Sequence, residues 1–229
     1  PASIIFAQFQ GRLDPRAMES LRASFGFVEG PLHEQYLTYL QNLFSGNLGI
    51  SVSRFPQPVG SVISSGIGWT LRLVGVATMI AFGIGMLLGI LAAWRRGRFL
   101  DSSVLPFFSI IGAFPFFFVA LLMLYIFAMN LGWFPLGHAY DINLTTDWSS
   151  WTFIQSVLTH SLLPALTIVL TTLGGCMLGM RNNMIGVLSQ DYIVMAQAKG
   201  LSEQRVVFNY AARNAILPSL TGFAMNLGF

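Results

Sequence analysis

Long uncharged stretches alternate with shorter polar ones along the chain. From Ile67 to Trp94 only Arg72 is charged, no charge falls between Asp101 and Asp141, and Val157 to Met180 carries none. A helix rises 1.5 Å per residue, so about 20 apolar residues cross a hydrocarbon core of about 30 Å. The pattern therefore predicts membrane-spanning helices over 67–94, 104–130 and 157–180, and a further one, 218–229, opened by Pro218. The middle stretch is longer than a bilayer requires and is expected to leave it through Gly132-Trp133-Phe134-Pro135. Residues 1–10 start with Pro rather than Met and read as the end of an earlier span, while the apolar run reaching Phe229 reads as an unfinished one. The chain is thus expected to be cut at both ends.

Composition agrees with lipid as the main solvent. The 229 residues are 54% hydrophobic and 9% charged, against about 25% charged in a soluble domain. The net charge of +3 comes from thinly spread arginines, with Lys199 the only lysine. No basic stripe alternates with aromatic residues, which excludes nucleic acid as a partner. Positive charge instead sets orientation, because Lys and Arg are retained on the cytoplasmic side. Three arginines fill Arg95-Arg96-Gly97-Arg98, and 181–217 carries Arg181, Lys199, Arg205 and Arg213 against Asp191 and Glu203. The loop from Leu131 to Gln155 holds Asp141 and Asp147 without a base, and 11–66 balances its charges. The first two segments are expected inside, the last two outside.

The outer segment 11–66 has helix signals of its own. Asp14-Pro15 fits a helix start, with Asp as cap and Pro in the first turn, and Glu34 to Phe44 suggests a second short helix. Together they predict a small external cap. Within the spans, the pairs Gly85/Gly89 and Gly175/Gly179 suit close helix approach. Arg72 sits near the outer end of its span, where it either snorkels or pairs structurally, or else lines a pathway between helices. The lone Cys176 lies in an apolar run as a small core residue.

The segment from Ser189 to Pro218 is polar overall, yet patterned. Ser189 suits the start of a short helix, Gly200 its left-handed end, and Ser202 the cap of a second helix. Val206, Val207, Tyr210 and Ala211 recur at helical spacing. Two short amphipathic helices joined by a glycine elbow are expected.

These residues carry a resemblance. Ala196-Gln197-Ala198-Lys199-Gly200-Leu201-Ser202-Glu203, then Ala212-Arg213-Asn214-Ala215 and Leu217-Pro218, resemble the coupling loop of the inner-membrane permeases of ABC peptide importers, the dipeptide and oligopeptide group with its nickel and glutathione relatives. Gly46-Asn47-Leu48-Gly49-Ile50-Ser51, Ala92-Ala93-Trp94-Arg95-Arg96-Gly97 with Asp101, and Leu131-Gly132-Trp133-Phe134-Pro135 extend the likeness over nearly the whole chain. Two departures stand out: Val194-Met195-Ala196 replaces Glu-Ala-Ala, and Arg12-Leu13-Asp14-Pro15 replaces Gly-Asp-Pro.

The resemblance implies an all-α, polytopic bundle in a prokaryotic cytoplasmic membrane, with an external cap and a coupling helix. It implies a second, related permease subunit, two cytoplasmic ATPase subunits or domains, and an extracytoplasmic solute-binding protein. Asp191, Ala196, Ala198, Lys199, Gly200, Leu201, Ser202, Glu203, Arg205, Arg213, Asn214 and Pro218 would then form the ATPase-docking loop. ATP and magnesium would belong to the ATPase, with no cofactor or metal in this chain. That agrees with the absence of a Gly-x-x-x-x-Gly-Lys phosphate loop. His138 and His160 have no nucleophile at recognisable spacing, so no enzyme is expected. The spans lack Asp and Glu, which counts against an ion-coupled transporter or channel. The expected substrate is a peptide, with β-linked oligosaccharides as the rival. Phe114, Phe116 and Tyr125 either stack on sugar rings in the pathway or pack against lipid and helices.

Overall fold

A computed structural model describes residues 31–51 and 53–227, which include no β-strand. The described chain is all-α, as the apolar pattern predicts, and the Asp14-Pro15 helix start lies outside it. The chain divides into two units, residues 1–69 and 70–229.

In the first unit α1 covers Leu32–Phe44 and ends on Gly46 at φ +78°. There the Gly46 N–H donates to Leu43 O at 3.1 Å and Asn47 N–H to Asn42 O at 2.8 Å. This left-handed closure satisfies the last carbonyls of the helix and requires a residue without a Cβ. Gly49 also has positive φ, and its carbonyl accepts from Val59 N–H at 2.9 Å. Both glycines of the Gly46–Ser51 motif therefore serve turns.

The long helices are α2, Val59–Trp94, and α5, Trp151–Leu188; both are long and apolar enough to cross a membrane. At 1.5 Å per residue the 38 residues of α5 extend about 57 Å, well beyond a hydrocarbon core. The stretch expected as one span over 104–130 is sharply bent. Its arms, α3 at Leu100–Ala113 and α4 at Phe116–Asn130, bend by 100°. Pro115 has no N–H and pushes the residue before it out of helical geometry. Phe114 accordingly has ψ 146°.

Beyond α5 lie the short α6, Asp191–Ala198, and α7, which runs through Glu203–Arg205, π-helical turns at Val206–Ala212, and Arg213–Leu227. Pro218 does not open this last helix but lies inside it. Proline is tolerated within membrane helices because neighbouring groups re-satisfy the freed carbonyl.

Helices α2, α3, α4 and α7 all pack against α5. The contacts are close at glycines. A Cβ on Gly85 would meet Cys176 Cβ at 2.6 Å, and one on Gly89 would meet Met177 O at 2.7 Å. Gly112 of α3 faces the Thr171 carbonyl, and Gly174 of α5 lies against the Phe108 backbone. Gly175 and Gly179, paired in sequence like Gly85 and Gly89, meet nothing within 4 Å among the described residues. Phe82 of α2 stacks on Phe223 of α7 with ring centroids 4.2 Å apart, and Asn183 donates to Ser219 Oγ at 2.9 Å, joining α5 to α7.

Substitution at the close contacts should therefore be costly. Gly89→Ala and Gly174→Ala are expected to destabilise the detergent-purified chain by about 1–3 kcal/mol, since backbone cannot move aside as a flexible side chain can. Gly175→Ala and Gly179→Ala should leave stability unchanged or raise it by up to about 1 kcal/mol, through helix propensity. Thermal unfolding of the four variants separates these outcomes.

Candidate functional site: the elbow between α6 and α7

Every motif residue from Asp191 to Pro218 lies on α6, on α7 or in the turn between them. The turn follows from Gly200 at φ +78°. Gly200 N–H donates to Gln197 O at 2.9 Å and Leu201 N–H to Ala196 O at 3.3 Å, closing α6 as α1 is closed. Leu201 then folds inward onto the core. The glycine end expected from sequence is present. Of the expected serine caps, Ser202 does stand at the N-cap of α7, though without a side-chain cap bond, whereas Ser189 is the C-cap of α5 and Gln190 takes the N-cap of α6.

The elbow is packed firmly onto the bundle. Ile193 and Ala196 of α6 are buried with Val206, Val207, Ala211, Ala212 and Ala215 of α7. They share one core with Met86, Ile90 and Ala93 of α2 and Met180 and Met184 of α5. Asn214 of α7 ties that helix to α6, donating from Nδ2 to Tyr192 Oη at 2.9 Å, and also donates to Tyr210 O of its own helix at 3.2 Å. Asp191, Ala198, Lys199, Arg205, Arg213 and Pro218 are exposed. So are Val194 and Met195, at 58% and 61%. One face of α6 is therefore core and the other an exposed apolar surface beside Lys199.

Contacts that sequence reasoning did not foresee brace this end. The Arg181 guanidinium grips Asp101 with Nε–Oδ1 at 2.8 Å and Nη2–Oδ2 at 3.3 Å. Their side chains are 22% and 9% exposed. Asp101 also accepts from Gly97 N–H at 2.9 Å, closing the arginine turn after α2. Trp94, the last residue of α2, donates its indole N–H to Glu203 and meets the Phe208 ring edge-on at 5.8 Å. Both Asp101 and Trp94 stand in or beside a recognised motif, but their partners lie 80 and 109 residues away.

The residues considered for a pathway fall elsewhere. Arg72 places its guanidinium 4.5 Å from the Trp148 ring centre, an attractive cation–π geometry. Trp148 in turn meets the buried Phe153, which also meets Tyr140. Phe114 stacks on Phe118 with centroids 5.9 Å apart. Phe116 and Tyr125 are more than half exposed. Among the described residues no three His, Cys, Asp or Glu side chains gather as a metal site.

Comparison with known proteins decides the family. Residues 85–229 match the model of the binding-protein-dependent transport system inner membrane components. The chain belongs to this family. A Brucella suis protein whose name assigns it provisionally to the peptide permeases is 40% identical over 92% of this chain and 64% of its own length. The oligopeptide transport system permease of Bacillus subtilis is 36% identical over 93% of this chain and 66% of its own. The di/tripeptide transport system permease of Pseudomonas aeruginosa is 34% identical over 95% and 68%. The chain thus spans less than two thirds of the length of the Brucella relative. The family assignment makes it a membrane transport component, and the elbow falls entirely within the matched region.

The ion pair makes a sharp test of the brace. Arg181→Ala should cost about 1–3 kcal/mol, because Asp101 is left charged in a poorly solvated place. The exchange of Asp101→Arg with Arg181→Asp should recover part of that loss. Thermal unfolding that is unchanged in Arg181→Ala would show that the pair does not brace the structure.

Proposed function

We propose that this chain is a membrane-spanning permease subunit of a binding-protein-dependent ABC importer of peptides, and that the α6–α7 elbow docks on a separate ATPase. The observation that carries this reading is the two-sided α6. Its inner face is part of the bundle core, while Val194 and Met195 stay exposed beside Lys199. An amphipathic helix with an exposed apolar strip suits the groove of a partner protein. The Val194-Met195 strip stands where the broader importer pattern has Glu-Ala, so part of the contact would be apolar.

In this reading the arginine turn and the elbow face the cytoplasm, and the Trp148 loop faces outward. ATP-driven closure of the ATPase would push on the elbow, which packs against the inner ends of α2 and α5 in one core. A second permease subunit would complete the pathway, and an extracytoplasmic binding protein would deliver solute. The peptide assignment draws on the names of the relatives, which include oligopeptide, di/tripeptide and glutathione permeases. Phe114 and its neighbours stack on one another and carry no argument for sugar.

Two sets of variants test the docking. Val194→Asp and Met195→Asp should leave thermal stability unchanged, as neither side chain is buried. They should weaken capture of the ATPase by at least about ten-fold, the scale of a central interface residue. Charge reversal at Lys199 and Arg205 should lower ATP-driven peptide uptake in vesicles. Undiminished ATPase capture by Met195→Asp would contradict the docking face.

A further inference from the structure

We propose that Trp94 is the positioning residue through which the elbow drives α2, so that ATP hydrolysis moves that helix rather than the elbow alone. The inference rests on the reading of the elbow as the ATPase contact and adds what happens behind it.

The geometry is specific to one side chain. Trp94 ends α2, and its indole N–H donates to the Glu203 carboxylate in the first turn of α7. Its ring meets Phe208 edge-on, with an interplanar angle of 84°. The Arg95 guanidinium lies 5.4 Å from the same ring. Trp94 thereby touches α7 at two points, one polar and one aromatic, on either side of the start of the π-helical turns. A single contact acts as a pivot. Two contacts of different direction resist rotation as well as translation, so a displacement of the α7 N-terminus is passed to α2.

The chemistry supports a transmission contact rather than packing alone. A charged acceptor strengthens the hydrogen bond, and Glu203 at the start of a helix is favoured there by the helix dipole. The residues deeper in the shared core hold α2 and α7 side by side along their length. Trp94 adds to this a polar and an aromatic contact between the tip of α2 and the first turns of α7. Further back along α2, Arg72 lies over Trp148. A movement of α2 therefore reaches the Trp148 loop.

The test is substrate imported per ATP hydrolysed by the complete transporter in proteoliposomes. Trp94→Phe keeps an aromatic ring and removes the N–H, and Glu203→Gln weakens the acceptor while leaving the tryptophan packing whole. Each should lower imported substrate per ATP by about five-fold or more, the lower range of coupling between linked sites. The double variant should be no worse than the poorer single one, because both remove the same contact. Should Trp94→Phe fail to assemble, Glu203→Gln alone carries the ratio test. A wild-type ratio retained in both single variants would overturn the role of Trp94, with docking untouched. Losses that multiply in the double variant would overturn it too. A wild-type assembly with no ATPase at the elbow would overturn the docking reading and this inference together.

Discussion

Apolar helices in lipid gain nothing from leaving it, so they hold together only where their backbones come close enough to pack or exchange hydrogen bonds. In this chain that constraint is met on α5. Gly85 and Gly89 of α2 and Gly112 of α3 each lie against it with no room for a Cβ, and its own Gly174 lies against α3. At the end of the bundle that carries the elbow, a different set of forces takes over. There α6 and α7 bury Ile193, Val206 and Ala211 with the ends of α2 and α5, and Asp101 pairs with Arg181 across the same region. The bundle thus has a body held by close backbone contact and an end held by an apolar core and the Asp101–Arg181 ion pair.

That division bears on function. A transporter must move as pieces without its pieces unfolding. The elbow is not a loose loop, since Gly200 closes α6 in a fixed turn and Asn214 holds Tyr192. Its inner face belongs to the bundle and its outer face displays Val194 and Met195. A force applied to the outer face would act on the whole inner end. The break at Pro115 separates α3 from α4 and lets the middle stretch change direction by 100°, so this part of the chain does not act as a single rod.

What could be read from sequence is what depends on neighbours along the chain. The apolar runs, the glycine turn at residue 200 and the coupling-loop motif all rest on local rules of length, φ angle and spacing. Misreadings arose where the deciding contact is distant. Gly175/Gly179 and Gly85/Gly89 have the same spacing, and only the placement of α5 shows which pair meets another helix. Gly174 and Gly112 lack any pair signal and are tight all the same. Pro115 bends the middle stretch by a local rule, but it lies within an uncharged run whose length alone reads as one span. Pro218 reads as a helix start by local rules, yet α7 continues through it. Trp94 stood within a recognised motif, although nothing local announces a partner 109 residues away.

The account depends on the outer face of α6 being covered by the ATPase, and cross-linking reads that directly. A photo-reactive group attached through Met195→Cys, in a chain whose single native thiol is removed by Cys176→Ser, would report what lies there in the assembled transporter. The account predicts capture of the ATPase polypeptide. Capture of lipid alone, or maleimide labelling at the same rate with and without the ATPase, would contradict it.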